Sequence, residues 1–193
     1  DLPDVLYSEL AGVVGAEWVI RDRDRLLVYE SDAQTAHNAL PQAVVLPSDT
    51  EEAAGVARIL HRHRVPMIAR GAGTGLSGGA LAVEGGVLVG TSRMNRILEV
   101  DSENRRALVQ AGVQNTDLTA AAAPFKLQYA PDPSSQTACT IGGNVAENSG
   151  GPHCLKYGVT TRYITGLRVV LPDGKVVWLG RAGRELQGFD LVG

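Results

Sequence analysis

The segment "ARGAGTGLSGGALAVEGG", from Ala69 to Gly86, contains seven glycines among its eighteen residues. Glycine has no Cβ, so it tolerates positive φ and lets another molecule contact the main chain, but it costs more conformational entropy on folding than alanine. So dense a run does not serve stability. A tight turn explains Gly85 and Gly86, and we expect a ligand to lie against the backbone of the rest.

The sequence before this segment predicts a βαβ unit. Ala43 to Leu46 has strand character, and Ser48 with Glu51 has the spacing of a capping box at the start of a helix. Pro66 ends the helix, and Met67 to Ala69 returns to strand character. The two strands of such a unit are expected to be parallel.

The sequence after the glycines favours antiparallel pairing. We expect strands and a helix, in chain order, at Val87–Val89, Arg96–Val100, Ala107–Ala111, Thr116–Ala123 (the helix), Leu167–Leu171 and Val176–Leu179. We expect the strands Arg96–Val100 and Ala107–Ala111 to form a hairpin. The predicted class is α+β, with a small parallel βαβ lobe followed by a larger, mainly antiparallel sheet lobe with helices. Residues 1–41 are expected to be an N-terminal extension to a domain of residues 42–193.

Charge and composition exclude several classes of protein. Lys and Arg number 18 against 21 Asp and Glu, a net charge of −3, and no basic block marks a nucleic-acid binder. The two cysteines form no CxxC pair, which is typical of a reducing compartment, so we expect a cytoplasmic protein. No apolar run is long enough to span a membrane. The start at Asp1 and the end at "GFDLVG" lead us to expect a fragment.

The first glycine segment matches the residue pattern of two catalytic or binding motifs, but it lacks the secondary structure that each motif requires. Gly73, Gly75 and Gly78 fit GxGxxG, but a Rossmann motif must open a helix and this sequence soon becomes β-rich. Ser77 fits GxSxG, but it lacks the strand and helix that flank a hydrolase nucleophile. We expect Ser77 to be a loop hydroxyl.

The histidines predict neither a metal site nor a catalytic dyad. His61 and His63 are two residues apart, so on a helix they point in different directions, and their cationic segment suits a helix C-terminus. The adjacent side chains of His153 and Cys154 diverge. We expect structural roles for all four residues.

A second glycine segment, "PDPSSQTACTIGGNVAENSGGPHCLKYG", runs from Pro131 to Gly158. Gly142 and Gly143 come before a helix-compatible run, Asn144 to Asn148, which we expect the pair Gly150–Gly151 to close in left-handed geometry. Free amides at such an N-terminus bind anionic oxygens. Two amide cradles about seventy residues apart would suit a diphosphate.

At these motifs the chain resembles the FAD-binding domain of the vanillyl-alcohol oxidase type, or PCMH-type domain, and most of all its glycolate oxidase GlcD and D-lactate dehydrogenase branch. The motifs are "RGAGTGLSGGA" (70–80), "RMNRILEVD" (93–101), "PDPSS" (131–135), "TIGGNVAENSGGPHCLKYGVT" (140–160) and "LRVVLPDG" (167–174). Five motifs in order are more specific than one glycine pattern.

The resemblance implies an FAD that lies between two lobes and is bound non-covalently, since Thr74 stands in the loop where relatives with covalent flavin often carry histidine. It implies no metal site, and it names no catalytic residue within this chain. The cofactor-binding residues that it implies are Arg70, Gly71, Ala72, Gly73, Thr74, Gly75, Pro131, Asp132, Ser134, Thr140, Gly142, Gly143, Asn144, Asn148 and Gly150.

The resemblance also implies an FAD-dependent oxidoreductase that oxidises a small 2-hydroxy acid, glycolate or D-lactate, and passes electrons to an acceptor or partner subunit. The substrate-binding cap would lie outside this chain, so the chain alone is expected to be inactive. Membrane association is expected only through partners. The alternatives are a flavoenzyme of the same fold with another substrate, a Rossmann-type nicotinamide-binding module and a non-enzymatic nucleotide-binding fragment.

Overall fold

The computed structural model describes residues 2–34, 36–180 and 192. Short 3₁₀ turns lie at Ala16–Trp18, Leu27–Tyr29, Ala123–Phe125 and Thr160–Tyr163. The helices and strands within the described residues are, in chain order, α1 (Asp4–Val14), β1 (Val19–Ile20), α2 (Arg23–Leu26), β2 (Ala43–Val45), α3 (Thr50–His63), β3 (Met67–Arg70), β4 (Val87–Gly90), β5 (Ile97–Asp101), β6 (Arg106–Val109), α4 (Asn115–Ala122), α5 (Ile141–Ala146), α6 (Cys154–Tyr157), β7 (Leu167–Val170) and β8 (Val176–Leu179).

The chain divides into two compact units. Among the described residues, the first comprises 2–34, 36–94 and 170–176, and the second comprises 95–169, 177–180 and 192. Each unit combines helices with paired strands, which confirms the expected two-lobed α+β class.

The sheet of the first unit has the order β1-β2-β4-β3. β4 pairs in parallel with β2 on one side and with β3 on the other, while β1 pairs antiparallel with β2. The predicted parallel direction of β2 and β3 is therefore confirmed. Sequence reasoning placed a strand at Val87–Val89 but did not foresee that it lies between the other two.

Helix α3 begins one residue later than the capping box predicted. Asp49, not Ser48, is the N-cap, and its carboxylate accepts a hydrogen bond from the Glu52 N–H at 2.9 Å. The Glu52 side chain reaches back to the Ser48 N–H at 2.8 Å. The pairs Ser48/Glu51 and Asp49/Glu52 have the same spacing, so the local sequence does not distinguish between them. Arg64, at φ 56, ends the helix in the left-handed region.

The first unit is buried on both faces of its sheet. One face packs Val45 and Val87 against α1 and α3, which contribute Leu10 and Leu60 to the same cluster. On the other face Val44 and Leu88 pack with a second cluster, which includes Leu26, Leu46 and Ala82. Alternate side chains of β2 and β4 thus enter opposite cores, which is why these strands are continuously apolar.

The second unit contains the predicted hairpin of β5 and β6, which pair antiparallel with a bulge between Ile97 and Glu99. β7 and β8 form a two-stranded sheet. The turn between them lies in the first unit, where Gly174 has φ +78 and its carbonyl accepts a hydrogen bond from the Arg58 guanidinium at 3.2 Å. A Cβ at Gly174 would lie 2.6 Å from the Ala54 carbonyl oxygen, so glycine is required there.

Two helical glycines give a matched test of the contact between α1 and α3. A Cβ on Gly12 would meet nothing within 4 Å, whereas a Cβ on Gly55 would lie 2.9 Å from Cγ1 of Val13. We expect Gly12→Ala to raise the free energy of unfolding by up to about 1 kcal/mol, through helix propensity alone. Gly55→Ala should lower it, because the added methyl overpacks the contact.

Urea denaturation measures both changes, and Val13→Ala in the Gly55→Ala background should recover part of the loss. Equal stabilisation by the two glycine substitutions would contradict the close approach of the helices.

Candidate functional site

The first candidate site is the loop that follows β3, residues 71–78, which we call the amide loop. It starts at the carboxyl end of β3, and residues 71–86 as a whole connect β3 to its parallel neighbour β4 without forming a helix. Ligands of parallel sheets bind beyond the carboxyl ends of the strands. The absence of a helix in this described segment also confirms that GxGxxG is not a Rossmann motif here.

The backbone N–H groups of the amide loop have few partners in the protein. Within the described residues, those of 71–76 donate no hydrogen bond to the chain. Gly73 and Gly78 have φ of +72 and +76, and a Cβ on Gly75 would meet nothing within 4 Å. Successive amides around a left-handed residue form a concavity that binds anions. This loop therefore retains the donors that an anionic ligand requires.

Arg70 holds the amide loop from within the protein. Its side chain is buried, with 8% exposure, and its guanidinium donates to the Ala80 carbonyl at 3.1 Å and to the Ser31 carbonyl at 2.8 Å. A Cβ on Gly73 would overlap this guanidinium. Gly73 is therefore favoured by its positive φ, and a side chain there would also displace the Arg70 guanidinium.

The guanidinium also carries charge. Burial lowers the pKa of Arg70 below its usual value, while the nearby Asp32 and Tyr29 act in the opposite direction. Arginine stays protonated in proteins. A buried positive charge therefore lies next to the free amides, and both favour an anion.

The second glycine segment does not supply the free amides that its sequence predicted. The N–H groups of Ile141 and Gly142 donate to the carbonyls of Val113 and Ala111, each at 2.8 Å. The Gly143 N–H donates to the hydroxyl of Thr140, the N-cap of α5, at 3.2 Å. The expected cradle is therefore wrong at these amides, because residues 111–113 already use two of them.

Helix α5 also differs in its boundaries. Gly142 and Gly143 lie inside its first turn rather than before it, and a Cβ on Gly142 would lie 2.9 Å from the Ala111 carbonyl oxygen. The left-handed residue after the helix is Asn148, at φ 46, and not Gly150 or Gly151. Its side-chain oxygen accepts hydrogen bonds from the N–H and hydroxyl of Thr161, at 3.0 and 2.7 Å, which offset the cost of this conformation.

Two buried asparagines organise the second unit around this segment. Asn144 donates through its side-chain amide to Oδ1 of Asn115 at 2.9 Å, and Asn115 donates to the Pro131 carbonyl at 3.1 Å. Each asparagine is only 1% exposed. The pair brings the predicted residues Pro131 and Asn144 together. Sequence reasoning missed Asn115, since its partner lies 29 residues away and no local pattern marks it.

Asp132 and Gly150 lie near the next turn, 151–154. The Asp132 carboxylate is hydrogen-bonded to His153, which lowers the pKa of Asp132 below its ordinary value. Cys154 instead accepts a hydrogen bond at Sγ from the Gly151 N–H at 2.8 Å. His153 and Cys154 therefore have different hydrogen-bond partners. Ser134 is exposed in the turn after Pro133.

Of the remaining histidine pair, His63 connects two helices. His63 Nε2 lies 2.9 Å from the Glu9 carboxylate, and Arg62 lies 2.5 Å from the same group, so α1 and α3 are linked at the C-terminus of α3. Over the described part of the chain, no group of three or more His, Cys, Asp or Glu could hold a metal ion. Nor does any helix there have the length and apolar character needed to cross a membrane.

Comparison with known families assigns this architecture. A family model described as an FAD binding domain matches residues 41–180, more than half of the chain. The chain belongs to this family. The expected FAD-binding domain of PCMH type is thereby confirmed, and FAD is the cofactor of the family.

Among characterised relatives of this FAD-binding domain, the glycolate oxidase subunit GlcD of Escherichia coli K12 is 46% identical over 192 residues, covering 100% of this chain and 38% of the relative. GlcD of Bacillus subtilis 168 is 45% identical over 86% of this chain and 36% of its own length. The D-lactate dehydrogenase of Anaerostipes hadrus is 43% identical over 80% of this chain and 32% of its own. The chain thus spans less than two fifths of these relatives.

Solved structures confirm the fold. An alkyldihydroxyacetonephosphate synthase superposes with a TM-score of 0.87 at 23% identity, covering 97% of this chain and 36% of that one. A p-cresol methylhydroxylase superposes with a TM-score of 0.81 at 24% identity, covering 98% and 37%.

The buried asparagine pair of the FAD-binding domain yields a stability prediction. Asn144→Ala leaves Oδ1 of Asn115 buried without its donor, so we expect the free energy of unfolding to fall by about 1–3 kcal/mol. The effects of Asn144→Ala and Asn115→Ala should be strongly non-additive, because they remove one shared hydrogen bond. Urea denaturation of the two single variants and the double variant measures this, and simple addition of the losses would contradict the pairing.

Proposed function

We propose that this domain binds the pyrophosphate of FAD on the amide loop, without a covalent bond, as part of a flavin-dependent dehydrogenase of 2-hydroxy acids such as glycolate or D-lactate. The observation that carries the proposal is the run of N–H groups at 71–76 that have no acceptor among the described residues, next to the buried charge of Arg70. A pyrophosphate is a dianion with several acceptor oxygens, so it matches this donor set.

The residues present fit the cofactor in different ways. In the first unit, Gly71 to Gly75 would donate main-chain hydrogen bonds, while Arg70 would hold the loop and contribute charge. In the second unit, Pro131, Asp132 and Ser134 would lie along the dinucleotide. There Thr140, Gly142 and Gly143 would act by shaping α5, because the Gly143 N–H already donates to the Thr140 hydroxyl and the Gly142 N–H to the Ala111 carbonyl. Bound FAD supplies a hydride acceptor for oxidation of the substrate carbon.

Two features support non-covalent binding and a hydroxy-acid substrate. The amide loop contains neither histidine nor cysteine, so it offers no side chain for a flavin bond. Identity is 43–46% to proteins named as GlcD or D-lactate dehydrogenase. It is only 23–24% to the synthase and the methylhydroxylase, whose substrates define the alternative within the same fold.

The same relatives support a wider assignment. GlcD is named as a subunit, so we propose that the full protein works with partner subunits that take up its electrons. Residues 42–193 would form the FAD-binding domain, with the substrate-binding part elsewhere in the full protein. The free thiols of Cys139 and Cys154 suit the cytoplasm, where we place it.

The test uses the full-length protein that contains this chain. We expect absorbance bands near about 370 and 450 nm from oxidised flavin, and anaerobic bleaching at about 450 nm on addition of glycolate or D-lactate. Acid precipitation should release the flavin into the supernatant. A colourless protein that does not bind added FAD would refute the cofactor, and flavin that only other substrates reduce would refute the hydroxy-acid assignment.

Gly75 separates ligand contact from folding. Because a Cβ at Gly75 meets no protein atom within 4 Å and its φ is not positive, Gly75→Val should leave the melting temperature of the apo protein unchanged. The valine side chain would keep a ligand from approaching the main chain of the loop closely, so FAD affinity should fall by at least about 100-fold, equivalent to about 2.7 kcal/mol.

The control is Gly12→Val, which also projects into open space but lies on α1. It should bind FAD with wild-type affinity. Wild-type affinity in the Gly75→Val variant would show that FAD does not lie against the amide loop.

A further inference from the structure

A segment that precedes the matched family range makes direct contact with the amide loop. Residues Tyr29 to Gln34, which we call the strap, lie before position 41, and none of the sequence motifs includes them. The Ala33 N–H donates to the Gly73 carbonyl at 3.0 Å. The Ser31 carbonyl accepts from the Arg70 guanidinium at 2.8 Å. The strap is therefore tied both to the loop and to the side chain beneath it.

The bond from Ala33 determines the direction of a loop amide. The Gly73 carbonyl and the Thr74 N–H belong to one planar peptide group, and in a trans peptide they point in opposite directions. The chain has no cis peptide bond within the described residues. When the strap holds the Gly73 carbonyl, the Thr74 N–H consequently points away from the strap.

Asp32 shapes the strap itself. Its Oδ1 accepts a hydrogen bond from the Gln34 N–H at 2.8 Å, which closes a turn from Asp32 to Gln34 with Ala33 at its centre and Ser31 directly before it. Its Oδ2 is buried and has no hydrogen-bond partner within the described residues. The turn therefore depends on one acceptor atom, which an asparagine side chain could also supply.

We infer that the strap is a positioning element of the cofactor site: Asp32 forms the turn that places Ser31 and Ala33, and these hold Arg70 and Gly73 so that the loop amides face the FAD pyrophosphate. The inference rests on the proposed function, since it assumes that FAD binds to the amide loop. It assigns a role in cofactor binding to residues expected from sequence to be an N-terminal extension. These residues need not contact FAD themselves.

Substitutions of Asp32 distinguish the turn from the charge. Asp32→Ala removes the Oδ1 acceptor, so we expect FAD affinity, measured by flavin fluorescence titration of the full-length protein, to fall by about fivefold or more. Asp32→Asn keeps the acceptor and should bind FAD within about twofold of wild type. Equal weakening by both would overturn the proposal, because the charge and not the turn would then matter.

Asp22 provides the matched control. It caps α2 by accepting the Arg25 N–H at 3.1 Å, so Asp22→Ala removes the same kind of hydrogen bond at a place that does not contact the loop. FAD affinity should stay at the wild-type value. Arg70→Lys supplies a second variant should Asp32→Ala fail to fold: it keeps the charge but loses the forked contact with two carbonyls, and it should also weaken FAD binding. Wild-type affinity in Arg70→Lys would overturn the proposal.

A second readout does not need FAD. Hydrogen exchange of the peptide that contains Ala33, followed by mass spectrometry on the FAD-free protein, should become faster in Asp32→Ala but not in Asp32→Asn or Asp22→Ala. Unchanged exchange in Asp32→Ala would overturn the strap. If instead the wild-type protein binds no FAD, the proposed function fails, whereas this exchange experiment still reports on the strap.

Discussion

The parallel pairing of β3 with β4 is the constraint on which the first unit depends. In a parallel pair, the chain leaves the first strand at one end of the sheet and must enter the second strand at the other end. The connection therefore has to run back along a face of the sheet. Most proteins use a helix for this crossover, but here residues 71–86 make it as irregular chain. Within this segment, Ala82 packs in the cluster that contains Val44 and Leu88. Gly86 allows a tight turn, because a Cβ there would lie 2.9 Å from the Val83 carbonyl oxygen. The glycine-rich segment therefore makes the crossover, and its first part is the loop that we propose as the cofactor site.

The amides of residues 71–76 have no acceptor within ranges 2–34, 36–180 and 192, so this irregular loop has few hydrogen bonds of its own to keep its shape. Contacts from outside the loop supply the missing support. The buried Arg70 guanidinium bonds to the Ala80 and Ser31 carbonyls, and the Ala33 N–H bonds to the Gly73 carbonyl. Holding the amides in one arrangement before a ligand arrives lowers the entropy cost of binding. The cost of this arrangement is a buried guanidinium and a carboxylate oxygen of Asp32 that has no hydrogen-bond partner in the described part of the chain.

The two glycine segments look alike in sequence but differ in chemistry. Both contain glycines next to small polar residues, and both were expected to present free amides. In the second segment, residues 111–113 accept the N–H groups of Ile141 and Gly142, and the Thr140 hydroxyl accepts that of Gly143. Because the amides at the start of α5 already have partners, this helix start serves to position side chains and does not offer free N–H groups. Asn144 shows this, since it is held by Asn115 at full burial.

Local sequence determined the elements whose signals are complete within a few residues. Periodicity and Pro66 predicted α3 and the strands around it, and five ordered motifs identified the FAD-binding family. Only the tertiary structure decided that β4 lies between β2 and β3, which amides stay free, and that the strap holds the loop. Each of those outcomes depends on a hydrogen-bond partner far away in the chain. A motif specifies which donors exist, but only the folded chain determines which of them are already used.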